Sequence, residues 1–270
     1  MEAWLASSSE VHRPRPRSDM QLKNLLLLVA AALLFAAASS VQAQDHAAPR
    51  AKTSSVRLGD RVVVIPDPEG FEEATLQFER YRERLVATEA PTLDTLLGHL
   101  PTSDCDLLRK GSAPTYNHYT KVSVLRAGRE LDVSREVMAQ AVEGYRANVG
   151  AVLDPNGPEM KALVKKVEQG LSAVDSKQTT VDFSRPQQLG EFDARPDINS
   201  FLMLMTIKVN QAGAEATVPM LASVSFVRVN ERLIYVYGFR KYKSAADMET
   251  LKQFATKWTS SIVAANRPRN

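Results

Sequence analysis

Two long β-rich runs, Ala216–Val229 and Arg232–Lys241, are separated by only two residues, Asn230 and Glu231. So short a connection makes the runs a hairpin, and Asn at the first turn position tolerates the positive φ that a two-residue turn requires. Two further strand candidates precede them, Gln187–Ala194 and Asn199–Asn210, so this part of the chain reads as an antiparallel meander. The last strand runs into Ser244-Ala-Ala-Asp247, a capping-box pattern, and Met248, Leu251, Ala255, Trp258 and Ile262 follow at spacings of three and four. Those spacings predict a long helix laid on the sheet and ending near Ala265.

The upstream part alternates short elements. Val56–Leu58 and Arg61–Ile65 flank a Gly59-Asp60 turn and make a small hairpin, stopped by Pro66, Pro68 and Gly70. Phe71, Ala74, Phe78, Tyr81 and Leu85 share one helical face, which predicts a helix over Phe71–Val86. Shorter helices are predicted over Leu93–Leu100 and Asp104–Lys110, and a central strand over Tyr116–Arg126. Ser134 caps a helix reaching about Val149, and Met160, Leu163, Val164, Val167 and Leu171 mark another after the Asp154–Pro158 turn cluster. The fold class expected is α+β: one domain over residues 56–266, an antiparallel β-sheet with helices packed on it.

Ahead of that domain, Leu25–Ala38 is an unbroken apolar run, preceded by Lys23 and followed by Val41-Gln42-Ala43. A basic residue, an apolar core and a small-residue cleavage motif are the parts of a secretory signal, which places cleavage after Ala43 and makes Met20 a natural start for a signal of ordinary length. The core is shorter than the roughly 20 residues a spanning helix needs, so no stable membrane anchor is expected after cleavage. Residues 44–55 are small and polar and read as a flexible leader. The protein is therefore expected in the periplasm or secreted. Its single cysteine, Cys105, excludes an internal disulfide. Removing residues 1–43 takes four basic and three acidic residues from the 34 and 31 of the chain, leaving 30 against 28. So balanced a charge gives no electrostatic case for nucleic acid as a partner.

The opening Leu58-Gly-Asp-Arg-Val-Val-Val-Ile-Pro66 through Gly70-Phe71 resembles the strand, Pro and Gly-aromatic entry of PsbP-like α/β/α sandwich proteins. Leu233-Ile-Tyr-Val-Tyr-Gly238 through the Ser244 helix to Trp258 resembles their last strand and closing helix. The resemblance implies an α/β/α sandwich and, by analogy, a non-catalytic role in binding or assembling larger complexes. It carries no functional residue over.

The residues themselves offer little reactive chemistry. His99 and Cys105 are six apart with Asp104 and Asp106 beside the thiol, but one imidazole and one thiolate do not close a zinc site. Cys105 with His118 can be drawn as nucleophile and base, yet flanking carboxylates raise a thiol pKa, the wrong direction for activation. No G-x-S-x-G, H-E-x-x-H or Gly-rich phosphate loop is present. Asp67 and Glu69, between prolines, read as solvated turn residues. No cofactor, metal or catalytic residue is therefore expected. Two binding surfaces are nominated: Arg240, Lys241 and Lys243 as an anion-binding cluster, and Met203, Met205 and Met220 as an adaptable apolar groove. The function expected is an exported periplasmic binding or assembly factor acting on envelope proteins. The alternatives are a carrier of a small apolar ligand or a hydrolase without a recognisable motif.

Overall fold

A computed structural model describes residues 53–267, so the apolar run and the cleavage motif lie outside the described residues. The chain enters through a hairpin of β1 (Thr53–Leu58) and β2 (Arg61–Pro66) that pairs only with itself. The main sheet contains β3 (Phe71–Glu73), β4 (Leu93–Pro101), β5 (His118–Leu125), β10 (Arg232–Lys241), β9 (Ala214–Val229) and β8 (Ile198–Gln211), in that spatial order and antiparallel throughout. Its far edge is shared by β6 (Thr179–Phe183) and β7 (Gln187–Arg195), which pair with successive stretches of β8. The expected α+β class is the observed one.

Both faces of this sheet are apolar, because alternate side chains of the central strands point to opposite sides and both sets are buried. Met203, Met205, Phe226, Tyr235 and Tyr237 face α1 (Glu79–Ala87), α3 (Arg135–Val152) and α4 (Pro158–Asp175), with α2 (Thr102–Arg109) filling the end of that layer. Leu202, Leu221, Val227, Ile234 and Val236 face α5 (Ala245–Ala265) and the β1–β2 hairpin. Ser134 caps α3 by accepting from the Val137 amide, and Ser244 with Asp247 forms the capping box of α5. At the β9–β10 turn both Asn230 and Glu231 have positive φ, 47° and 59°.

Four expectations are corrected. Leu93–Leu100 is strand β4, not a helix: a register shift between Thr95 and Leu97 moves the strand out of phase, so Leu93 and Leu100 serve one core and Leu97 the other. A bulged strand buried on both faces thus reproduces helical spacing. Phe71–Val86 is not one helix either, since β3 and a turn precede α1, and the Phe78 amide bonding the Ala74 carbonyl supplies the helix-like interval between them. Strand β6 lies in the polar stretch where no element was expected, and β1 begins at Thr53, inside the expected leader.

The hairpin is held on the sheet by side chains that stand in for a missing strand. Asn266 accepts from the Val64 amide at 2.9 Å and donates to the Val64 carbonyl at 2.7 Å, and Trp258 Nε1 donates to the Pro66 carbonyl at 2.8 Å. Arg232, 2% exposed, donates to the Leu58 carbonyl and to Asp60 and Asp132. On the opposite face, under α4, Lys121 and Glu89 form a buried ion pair at 2.8 Å. Thr95 and Ser123 each donate to the same carboxylate at 2.7 Å, and the Tyr237 ring lies 4.9 Å from the Lys121 ammonium. Burial pushes the Glu89 carboxyl up, but the attraction and hydrogen bond of Lys121, helped by Thr95 and Ser123, outweigh it and hold the carboxyl below its usual range.

Removing one member of that pair strands the other's charge in the core. Lys121→Met is expected to lower stability in urea unfolding by about 3–5 kcal/mol, and adding Glu89→Met to it should recover most of the loss. A single variant as stable as the parent would contradict this reading of the pair.

Candidate functional site

Of the reactive side chains nominated from sequence, Cys105 and His99 are buried and His118 is half-buried. Cys105 lies on α2 with its Sγ toward the Leu100 carbonyl at 3.9 Å. Burial, then the nearby Glu72 carboxylate, pushes its thiol up to about 12. His118 projects from β5 between the rings of Phe71 and Phe254, at 4.8 and 4.5 Å. Burial, then the Arg240 charge, pushes it down to about 3, so its imidazole is neutral in the folded protein. Cys105 belongs to the core on the three-helix side and His118 packs against α5, so they do not form a nucleophile and base.

His99 is 0% exposed on β4, with Nδ1 3.0 Å from Thr120 Oγ1 and Nε2 3.4 Å from Asp67 Oδ1. The ring of Trp258 stands edge-on at 5.2 Å. Asp67 is therefore not the solvated turn residue expected from its prolines: it folds inward, and Glu69 alone faces solvent, paired to Lys257 on α5. Thr120, His99 and Asp67 follow the order hydroxyl, imidazole, carboxylate, but Thr120 is also 0% exposed, so no substrate reaches the hydroxyl. The arrangement fastens the β2–β3 loop under α5. Nearby Glu73 is raised by burial, against hydrogen bonds from Thr75 and Leu76. Among the described residues, no three His, Cys, Asp or Glu side chains converge as a metal-binding group.

The nominated binding residues also have structural partners. Met203, Met205 and Met220 are 0, 2 and 4% exposed in the three-helix core, and Met203 Sδ accepts from the Tyr145 hydroxyl at 3.9 Å. They line no open groove, because strand alternation turns all three to the covered face. Arg240 Nε bonds Asp247 Oδ1 at 2.8 Å, which spends its charge at the start of α5. Lys241 donates to the Thr115 carbonyl, and Lys243 gives its amide to Asp247. The Arg240 side chain and the Lys243 amide thus meet at Asp247, while the Lys241 side chain turns to Thr115.

Two surfaces remain. The first lies beside α5, where Leu189 and Phe192 of β7, Leu204 of β8, Tyr242 and Met248 are half-buried around Leu202, Leu221 and Leu251. Two register shifts in β7 explain why Leu189 and Phe192, three apart, share a face. The second is a groove of 220 Å³ between α4 and the end of β6. Its floor is Met160, Val164, Val181 and Phe183, and Lys161, Lys165 and Glu168 stand around it. No helix among the described residues is long and apolar enough to cross a membrane.

No family model matches the chain, and no curated protein matches it. Among solved structures, a point mutant of the protein Mog1 aligns over 79% of this chain and 94% of its own, at 11% identity and a TM-score of 0.34. The Saccharomyces cerevisiae Ran-binding protein Mog1p aligns over 79% of this chain and 93% of its own, at 12% identity and a TM-score of 0.33. Both are Mog1 proteins and neither is a PsbP-like protein, so the family expected from sequence is corrected. The expectation of an exported periplasmic factor for envelope proteins is corrected with it, since what is stated of the yeast neighbour is Ran binding. At these TM-scores neither that partner nor the neighbours' architecture carries over to this chain.

Two measurements check the buried groups. Between pH 6.5 and about 3 the unfolded chain protonates His118 while the folded protein does not, so stability falls as pH drops through this window. Glu73 works the other way, contributing stability at low pH that is lost as pH rises through its elevated value. His118→Phe should therefore flatten the acid limb of stability by up to about 1.4 kcal/mol per pH unit; an unchanged limb would contradict the assignment. The Cys105 thiol should label with a maleimide only at the rate of unfolding, and rapid labelling of the folded protein would contradict its burial.

Proposed function

We propose that this protein is a protein-binding module whose contact surface is the apolar patch formed by Leu189, Phe192, Leu204, Tyr242 and Met248. The observation that carries the proposal is unequal cover. The sheet is seven strands across, roughly 30 Å. Four helices, α1 to α4, lie on one face, whereas among the described residues the other has only α5, about 10 Å wide, and the hairpin. The uncovered apolar side chains gather on the β7–β8 side of α5, where a second helix would pack. The occupant that fits is an amphipathic helix of a partner protein, laid beside α5 and burying its apolar stripe on Leu204 and Phe192. Strand addition suits the place less well, because two bulges interrupt the free edge of β7. The burial of His99 and Thr120 beneath α5 supports binding rather than catalysis at this face.

A photo-crosslinking residue in place of Phe192 should capture a protein in the native cell, and the same residue in place of the exposed Gln140 on α3 should not. Phe192→Glu should weaken the complex by about 2 kcal/mol, roughly 30-fold, with unfolding unchanged. Equal capture at both positions, or none at Phe192, would sink the proposal. Where the module works is a separate proposal that rests on the sequence: the Leu25–Ala38 run and the motif ending at Ala43 support export. N-terminal sequencing of the cellular protein should read Gln44, and a chain retaining residues 1–43 in the cytosol would refute it.

A further inference from the structure

The β1–β2 hairpin has two edges, and side chains close only one of them. On β2 the outward-facing main-chain groups belong to Val62, Val64 and Pro66, which bond Asn230, Asn266 and Trp258. Arg57, Ser55 and Thr53 of β1 stand opposite those three residues, so their own main-chain groups also point away from the hairpin, along its other edge. Among the described residues one hydrogen bond reaches that edge, from Arg129 Nη2 to the Arg57 carbonyl at 3.3 Å. Thr53, Ser55 and Arg57 are all exposed.

Strand β1 also lacks the features that keep an edge strand single. It has no proline, no lysine and no bulge, and its register against β2 is unbroken from Thr53 to Leu58. An added strand needs cover on the inward side, where Val56 and Leu58 of β1 meet the core. A lone peptide brings no such cover, whereas β1 of a second copy is already packed on its own core. The register that pairs the whole described edge has its two-fold axis at Ser55. It sets Ser55 opposite Ser55 of the second copy and Thr53 opposite Arg57, for about six main-chain bonds. The two Arg57 residues, the only charges on β1, then lie roughly 14 Å apart along the ribbon, beyond the screening length of about 8 Å. Parallel pairing, or an axis at Arg57, would set the two guanidinium groups side by side.

We propose that β1 is a homodimer interface: two copies of this chain pair antiparallel through Thr53–Arg57 about a two-fold axis at Ser55, joining their hairpins into one four-stranded sheet. A two-stranded ribbon is marginal by itself, and continuing it across the axis gives each hairpin the further strands it lacks. Each β1 has a single free edge, so the pairing closes at two copies. The interface shares no residue with the α5 patch and does not depend on a partner bound there.

The test is sedimentation equilibrium of the purified protein at about 100 µM, a concentration at which small interfaces populate a dimer, and the expected mass is twice that of the monomer. Ser55→Pro removes the central amide at an edge position that accepts proline, and should weaken the dimer at least ten-fold with the unfolding midpoint of the dilute monomer unchanged. Ser55→Lys and Ser55→Glu each set like charges across the axis and should weaken it several-fold, while an equimolar mixture of the two should associate more tightly than either alone. The mixture decides the matter even where the proline variant fails to fold. Phe192→Glu should leave the dimer intact. A monomer under these conditions, a dimer indifferent to a folded Ser55→Pro variant, or a mixture no tighter than its components would overturn the proposal. So would a dimer lost in Phe192→Glu and kept in Ser55→Pro, which would move the self-contact to the α5 patch.

Discussion

A sheet that is apolar on both faces must be covered on both, and this requirement organises the whole molecule. Strands β8, β9 and β10 present buried side chains to either side, so neither layer is optional. On one side four helices meet the need with large side chains, including the tilted and edge-on rings of Tyr145, Phe201, Phe226 and Tyr235. The other side is built from smaller residues under a single helix. Ser200 and Ser225 bond each other at 2.7 Å there, and Gly238 lies where an added Cβ would meet Ser223 Oγ at 2.8 Å and Leu251 Cδ1 at 3.1 Å. Small residues let α5 sit close, and the same closeness leaves the β7–β8 flank uncovered.

The second cover depends on polar side chains more than on apolar area. The β1–β2 hairpin has only two strands, too few to be stable alone, and is fixed by Asn266, Trp258 and Arg232 acting on its main chain. The Thr120, His99 and Asp67 array continues this fastening to the β2–β3 loop. A line of groups that resembles a catalytic relay on paper is, in this setting, part of how a loop is held beneath a helix. Its hydroxyl and imidazole are fully buried, and the apolar side chains left half-exposed lie beside α5 instead.

Much of this architecture was legible in the chain. Strand β10 has the bounds read from its β-rich run, and the Asn230-Glu231 turn and the capped start of α3 were each signalled by local residues whose physics does not depend on distant partners. Failures came where an irregularity shifted a period. The bulge in β4 made a strand look helical, and the register shifts in β7 put Leu189 and Phe192 on one face although a period of two separates them. The methionines were nominated because methionine suits adaptable surfaces, and nothing local says which face of their strands lies under α3 and α4. Asp67 and His99 meet across 32 residues only because α5 closes the loop over them, so no spacing rule could have joined them.

The proposed contact surface is the flank of α5 that the described residues leave uncovered. Hydrogen exchange measured on the protein within the complex isolated from its own cells tests this directly. Slower exchange over Leu189–Phe192 and Met248–Leu251, with the outer face of α3 unchanged, is the predicted result. Protection confined to α3 or to the hairpin, or none along α5 in a complex that contains a partner, would contradict it.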